Sequence, residues 1–285
     1  MLGAMPELPR DPAIDPDARA DLEAWRGAYR ERLAAPSGWW AVSNLAWVDA
    51  DACWLGGGED DALRLPARVR PRLALVERIA DGLRVTPSAA GALTLDGEAL
   101  TAAAEVRAAG VRLTPSGVDG VEAVVAERAG RWGVRAYDAE RAAARADERL
   151  GWFESTPGWR VEANVEPGDG LPPLVIVDAL GNAREVPVAA RLRFELGGAS
   201  HTLLAHDAGG ALFVNFRDAT NGVETYAAGR FLVVDAPRDG RAVLDFHRAH
   251  HPPCAHTPHA MCPLPPLANR LGLAVRAGER YPDGA

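Results

Sequence analysis

The chain has 285 residues, enough for one large domain or two modest ones with a buried core. It is 48% hydrophobic and 25% charged, which is ordinary for a globular protein. All 31 residues counted as lysine plus arginine are arginine, so the chain contains no lysine. Because guanidinium neither loses a proton nor forms a Schiff base, lysine-dependent catalysis and a Walker-type phosphate lysine are excluded.

Charge and cysteine content narrow the expected partners and compartment. A net charge of −8 and scattered arginines argue against nucleic acid, since a phosphate backbone requires a concentrated basic face. The sequence shows no long apolar run and no signal pattern, so we expect no membrane partner and a cytoplasmic location. The three cysteines, Cys53, Cys254 and Cys262, are too few for a disulfide framework. The sequence leaves the oligomeric state open.

The first predicted element is a helix from about Pro16 to Leu33. Asp15 can cap this helix, and proline suits its first turn. Four large side chains fall on one face at helical spacing: Leu22, Trp25, Tyr29 and Leu33. Residues 1–36 are therefore predicted to form an N-terminal tail and helix.

Short apolar runs separated by turns predict a small β-sandwich over residues 37–118. The runs are Val42–Val48, Cys53–Leu55, Leu63–Leu65, Leu73–Ile79, Leu83–Thr86, Ala92–Leu95 and Val111–Leu113. The pattern from Trp54-Leu55-Gly56 to Leu63-Arg64-Leu65-Pro66 is faintly similar to the forkhead-associated sandwich. The arginine, serine and histidine with which such modules bind phosphothreonine are missing, so phosphopeptide binding is not expected.

Residues 119–285 are predicted to form a larger antiparallel β-barrel or sandwich. A β region begins near Val121, and a short helix is predicted at 138–150. In 191–196, Leu192, Phe194 and Leu196 alternate with charged residues, as in a half-buried strand. Further predicted strands are Ala211–Phe216, Glu224–Tyr226, Phe231–Val234, Ala242–His247 and Leu271–Val275. The predicted fold class is mainly β with an N-terminal helix.

A proline-rich segment at 247–266 concentrates groups that bind metals. It contains five of the seven histidines and two of the three cysteines. Imidazole and thiolate are favoured ligands of zinc, iron and copper, and the predicted ligands are His247, His250, His251, Cys254, His256, His259 and Cys262. Because no spacing matches a known zinc motif, three interpretations stay open. The segment forms a metal site, a metal-free active or binding site, or a structural loop that closes the barrel and holds a local disulfide or buried thiols.

Acidic residues near this segment are candidates for proton transfer. Asp245 and His247 share one face of a predicted strand, so Asp245 can orient the imidazole and raise its basicity. Glu279 is a candidate general base or an exposed turn residue, and Asn269 is a candidate substrate contact.

Arg230 is the predicted anion-binding residue. A guanidinium binds carboxylate or phosphate through two parallel hydrogen bonds, so Arg230 would orient a small anionic substrate together with Tyr226. The alternative is an ion pair with Asp218, Glu224 or Asp245.

Seven blocks in a fixed order carry a family resemblance between Gly38 and Glu279. They are Leu212–Thr220, Glu224–Tyr226, Gly229-Arg230, Leu244–Phe246, Pro252–Ala255, Cys262–Pro266 and Ala277–Glu279. In these blocks the chain resembles the bacterial family known as domain of unknown function 1684. The resemblance implies no activity. It implies that Arg230, Asp245, Cys254, Cys262, Asn269 and Glu279 are shared, whereas His247 and His251 replace asparagines.

Two functions are expected from these observations. The first is an enzyme acting on a small anionic molecule in the C-terminal barrel, by metal-assisted chemistry or by general-base chemistry of His247 and Asp245. The alternative is a non-catalytic module that binds a small molecule or a protein.

Overall fold

The structure, a computed structural model, describes residues 15–178 and 181–282. The predicted tail at 1–14 lies outside the described residues. The predicted N-terminal helix is confirmed as α1, Pro16–Ala34. Asp15 accepts a hydrogen bond from the main-chain N–H of Asp17 at 3.2 Å, and Leu22, Tyr29 and Leu33 are buried. Its predicted apolar face is therefore the face that packs.

The chain divides into two compact units. The N-terminal unit comprises Tyr29–Glu148 and His256–Ala260. The C-terminal unit comprises the described residues up to Ala28, then Arg149–Ala255 and those from Met261 onward. The boundary at 148 differs from the expected boundary at 118, because strands beyond residue 118 pair with the first unit.

The N-terminal unit contains two sheets that share one hydrophobic core. Its strands are β1 (Val42–Trp47), β2 (Ala52–Gly56), β3 (Leu63–Arg64), β4 (Ala74–Ile79), β5 (Gly82–Pro87), β6 (Leu93–Leu95), β7 (Glu98–Ala99), β8 (Ala104–Val106), β9 (Arg112–Pro115), β10 (Val121–Arg128) and β11 (Arg131–Asp138). The sheet orders are β1-β11-β10-β9-β6-β7 and β3-β2-β4-β5-β8. Leu55 and Val76 of one sheet meet Val125 and Val134 of the other in the core. The short helix predicted within 138–150 is α2, Ala139–Ala143.

The C-terminal unit is built on one curled antiparallel sheet. Its strands are β12 (Gly151–Trp152), β13 (Arg160–Pro167), β14 (Leu174–Val177), β15 (Ala183–Val186), β16 (Ala190–Leu196), β17 (Ala199–Asp207), β18 (Leu212–Phe216), β19 (Arg230–Val234), β20 (Arg241–Asp245) and β21 (Glu279–Arg280). The main sheet has the order β19-β18-β17-β16-β13-β20 and forms a half-barrel. In β16, Leu192, Phe194 and Leu196 are buried, which confirms the predicted alternation. The mainly β fold class is confirmed.

Two predicted strands of this unit are irregular. Residues 224–226 form a turn, because the main-chain N–H groups of Glu224 and Thr225 both donate to the carbonyl of Thr220. Residues 271–275 also lie outside any strand. Among the described residues, no helix is both long and apolar enough to cross a membrane.

Candidate functional site

Arg230 lies at the start of β19 and its side chain is completely buried. Its guanidinium donates to Asp218 Oδ2 at 2.7 Å, to the carbonyl of Val275 at 2.7 Å and to the carbonyl of Ala277. Asp218 also accepts from Thr220 and from the main-chain N–H of Val275. The guanidinium is therefore committed to joining β19 to the loops around residues 218 and 275. Of the two interpretations of Arg230, this geometry favours the ion pair with Asp218.

Asn269 is fully buried at the end of a single 3-10 turn, Leu267–Asn269. Its Oδ1 accepts from the main-chain N–H of Leu204 at 2.8 Å. Its Nδ2 donates to the carbonyl of Leu204 at 2.8 Å and to that of Asn215 at 3.0 Å. The side-chain amide of Asn269 thus links the main chains of β17 and β18 by hydrogen bonds, so its role is structural.

Asp245 ends β20 and caps a 3-10 turn that carries His247. The carboxylate lies 2.8 Å from His247 Nδ1, and His247 Nε2 lies 2.8 Å from the carbonyl of Thr156. Both ring nitrogens of His247 therefore lie at hydrogen-bond distance from a protein oxygen. Burial acts to raise the pKa of Asp245, but the hydrogen bond and charge of His247 outweigh it and lower that pKa.

This geometry limits what His247 can do chemically. A metal ligand or a general base needs an accessible lone pair on nitrogen, and both nitrogens of His247 are engaged with protein oxygens in this arrangement. The ring is also buried, with 3% of the residue exposed. Asp245 and His247 are brought together as the sequence predicted, and their contacts tie the end of β20 to the residues before β13.

His251 and Glu279 form a second buried pair, below Tyr226. Glu279 Oε2 accepts from the main-chain N–H of His251 at 2.7 Å, and Glu279 Oε1 lies 3.5 Å from His251 Nδ1. The main-chain N–H of Tyr226 donates to His251 Nε2 at 3.2 Å. Nε2 therefore uses its lone pair, and Nδ1 carries the hydrogen that faces Glu279. The pair holds the turn of Tyr226 against β21.

Cys254, Cys262 and Tyr226 meet beside this pair, and we call them the thiol cluster. The main-chain N–H of Cys254 donates to Cys262 Sγ at 3.1 Å, and the Tyr226 hydroxyl donates to the carbonyl of Cys254 at 3.1 Å. Cys254 is half-buried and Cys262 is 4% exposed. Neither cysteine is in a disulfide. The sequence predicted Cys254 and Cys262 as site residues, but it did not indicate that Tyr226 lies beside them.

The thiol cluster favours a thiolate at Cys254. The pKa of Cys254 is lowered to about 7, first by a hydrogen bond with Cys262; burial opposes this change, and the Tyr226 hydroxyl contributes to it. Burial, followed by the hydrogen bond with Cys254, raises the pKa of Tyr226 well above its usual range. Tyr226 therefore keeps its proton and remains a donor while Cys254 is ionised.

The seven predicted metal ligands are not gathered at one point. His250 packs against Trp25 and Phe231 in the C-terminal unit. His256 and His259 belong to the N-terminal unit, where His256 accepts from the indole of Trp40 at 3.4 Å and bonds the hydroxyl of Tyr29 at 3.2 Å. Within 15–178 and 181–282, no three His, Cys, Asp or Glu side chains are placed to hold a metal ion.

Sequence reasoning missed several contacts that organise the site. Thr156 contributes a main-chain carbonyl, for which no sequence signal exists. Tyr281, whose ring lies 5.7 Å from that of His251, follows β21 near the chain end. A tyrosine two residues after Glu279 in an extended strand shares its face, and this spacing could have indicated it.

The fold and the site together define a class: a mainly β protein whose C-terminal half-barrel carries a buried arginine–aspartate pair and a cluster of two thiols and a tyrosine. Residues 147–280, just under half of the chain, match the family model described as protein of unknown function DUF1684, and the chain is similar to that family in this segment. The resemblance noted from Gly38 onward is therefore confirmed for 147–280. The matched segment covers β12 to β21 and includes every residue of the thiol cluster.

The comparisons supply no activity. A solution NMR structure of an uncharacterized protein from Haloarcula marismortui is 36% identical, covers 50% of this chain and 81% of its own, and has a TM-score of 0.42. A search of curated proteins found no significant match.

Proposed function

We propose that the C-terminal unit is an enzyme domain that acts on a small molecule through the thiolate of Cys254. The observation that carries this proposal is the thiol cluster, in which Cys262 and Tyr226 both surround a half-buried thiol. The thiolate is the nucleophilic form of cysteine, and reactive cysteines lie in partly exposed sites that stabilise it. A pKa of about 7 leaves Cys254 about half ionised at neutral pH.

The geometry supports thiolate chemistry better than it supports metal-assisted or general-base chemistry on an anionic substrate. Arg230, expected to bind an anion, neutralises Asp218 instead, so the anionic substrate loses its main support. His247 and His251 use their ring nitrogens for internal hydrogen bonds, which weakens the metal and general-base versions. We therefore propose a small electrophile as the substrate class.

The test is the rate of alkylation by iodoacetamide as a function of pH, followed by mass spectrometry of each cysteine peptide. Cys254 is expected to react with a midpoint near pH 7. Cys53 is an internal control in the same chain, because burial raises its pKa. Tyr226→Phe removes the hydroxyl that donates to the carbonyl of Cys254 and that contributes to the lowered pKa of its thiol, so the Cys254 midpoint is expected to move upward. A Cys254 midpoint equal to that of Cys53, or no alkylation of Cys254, would refute the proposal.

A non-catalytic binding function is the second candidate, and a groove in the N-terminal unit favours it. The groove has a volume of about 350 Å³ and is lined by Arg64, Arg141, Asn44, Ser43 and Asp138, among others. The Asp138 carboxylate is already paired with Arg68. Two guanidinium groups and two neutral polar groups suit a phosphate or carboxylate. Calorimetric titration with inorganic phosphate tests this function, and heat that persists unchanged in Arg141→Gln would count against it.

We also propose a cytoplasmic location without nucleic-acid or membrane partners. Its support is the three free thiols, which a reducing compartment maintains, and the net charge of −8.

A further inference from the structure

We propose that Cys254 and Cys262 are a redox pair that reduces hydroperoxides, with Cys254 attacking and Cys262 resolving. This inference rests on the proposed thiolate function of Cys254 and names its substrate class. It assigns to the buried Cys262 a role that a simple nucleophilic site would not need.

The distance between the two cysteines permits direct reaction. The amide nitrogen of Cys254 lies 3.1 Å from Cys262 Sγ. Because an N–Cα bond is about 1.46 Å, Cys262 Sγ lies at most about 4.6 Å from the Cα atom of Cys254. No large backbone movement is needed to bring one sulfur to the other.

The position of the cysteines on the chain explains why they stay together. Cys254 lies in the 3-10 turn Pro253–Ala255. Cys262 precedes Pro263, which bridges to Asp178, and the next main-chain N–H donates to the carbonyl of Val177 at 2.7 Å. Both cysteines thus belong to the C-terminal unit, whereas the residues between them, 256–260, belong to the N-terminal unit. Stiff, proline-flanked anchors lose little entropy when they position side chains.

The exposure of the two cysteines separates their roles. Cys254 is half-buried, whereas only 4% of Cys262 is exposed. The more exposed cysteine therefore meets the oxidant first, and the buried thiol reacts with the product formed beside it. Exposed, low-pKa thiolates next to a second cysteine are the usual arrangement of reversible thiol oxidation.

The chemistry has two steps and balances with a hydroperoxide as oxidant. The thiolate of Cys254 attacks the terminal peroxide oxygen, so an S–O bond forms and the O–O bond breaks. The departing alkoxide takes a proton from solvent and leaves as an alcohol, and Cys254 becomes a sulfenic acid. The thiol of Cys262 then attacks that sulfur, so the S–S bond forms, the S–O bond breaks and water leaves. A dithiol reductant returns the two electrons and restores both thiols.

The test treats the full chain with stoichiometric hydrogen peroxide at neutral pH and maps its peptides by mass spectrometry. The wild type is expected to form a 254–262 disulfide at least about tenfold faster than Cys53 is oxidised. Cys262→Ser is expected to accumulate a sulfenic acid at Cys254 that dimedone traps, and Cys254→Ser is expected to give neither product. Dithiothreitol is expected to restore the wild type fully.

The outcomes separate this inference from the function on which it rests. If Cys254 alkylates with a midpoint near pH 7 but peroxide yields no 254–262 disulfide, the redox pair is refuted and the thiolate function stands. If iodoacetamide does not alkylate Cys254, both the thiolate function and the redox pair are refuted. Cys262→Ala serves beside Cys262→Ser as a second variant of the resolving residue, and sulfenic acid trapped equally in wild type and both variants would also overturn the resolving role.

Discussion

The strongest prediction concerns Arg230→Met, which removes the charge and retains a long apolar side chain. In the wild type both partners of the Arg230–Asp218 pair are fully buried. The substitution leaves the Asp218 carboxylate without its guanidinium and deprives the carbonyls of Val275 and Ala277 of a donor. Since water does not reach these groups, none of the lost interactions is replaced by solvation.

The expected magnitude follows from these losses. Breaking a buried ion pair by removing one partner costs about 3–5 kcal/mol, because an uncompensated charge stays in the interior. At a typical m value of about 2 kcal/mol/M, a loss of 4 kcal/mol lowers the urea midpoint by about 2 M. Domain stabilities are about 5–15 kcal/mol, so the C-terminal unit is expected to be close to unfolding.

The assay is urea unfolding read by hydrogen exchange of the amides in β18 and β19, because a chain of two units need not unfold in one transition. Arg276→Met is the matched control. Arg276 pairs with Glu224, but its side chain is 55% exposed, and such pairs contribute about 0–1 kcal/mol. Equal midpoints for Arg230→Met and Arg276→Met would refute the assignment of Arg230 to a structural clamp.

Three further substitutions test other contacts of the C-terminal unit. Asp245→Asn removes a carboxylate whose pKa is lowered in the folded state, from an ordinary value of 3.8. The ionised carboxylate therefore stabilises the fold above about pH 4, and this stabilisation is lost as the pH falls. The melting temperature of the variant is expected to depend less on pH between about pH 5 and pH 3 than that of the wild type. Asn269→Ala is expected to cost about 2–4 kcal/mol in urea unfolding, because three main-chain groups lose their partner; a loss below about 0.5 kcal/mol would contradict its role. Gly278→Ala combines a φ of +81° with a Cβ that would lie 2.3 Å from a carbonyl oxygen, so it is expected to cost more than Gly97→Ala, where φ is +90° in open space.

Local patterns predicted the elements whose packing they determine. The apolar spacing of α1 and the alternation in β16 specify which face is buried, because each reflects a backbone period. The expected boundary at 118 differs from the observed one for a related reason. Pairing of β10 with β9, through Ala123 and Leu113, depends on contacts between strands that no single strand reveals.

The sequence pointed to the correct segment for the site but not to its chemistry. Histidine density suggested a metal, yet a histidine acts as a ligand only if its lone pair is directed outward. In the fold, the carbonyl of Thr156 and the main-chain N–H of Tyr226 occupy His247 and His251. Main-chain groups carry no residue identity, so residue types alone could not show that these rings were already engaged.

The residues expected to be shared with the family divide into two kinds, and the division predicts opposite responses to substitution. Arg230 and Asn269 satisfy main-chain groups inside the fold, so their loss acts on stability. Cys254 is half-buried, so Cys254→Ala is expected to change the free energy of unfolding of the C-terminal unit by less than about 1 kcal/mol. The same substitution is expected to abolish the fast alkylation and the disulfide formation. Because the chain has no lysine, no side-chain amine substitutes for the lost nucleophile, and residual fast alkylation in Cys254→Ala would place the reactive group elsewhere.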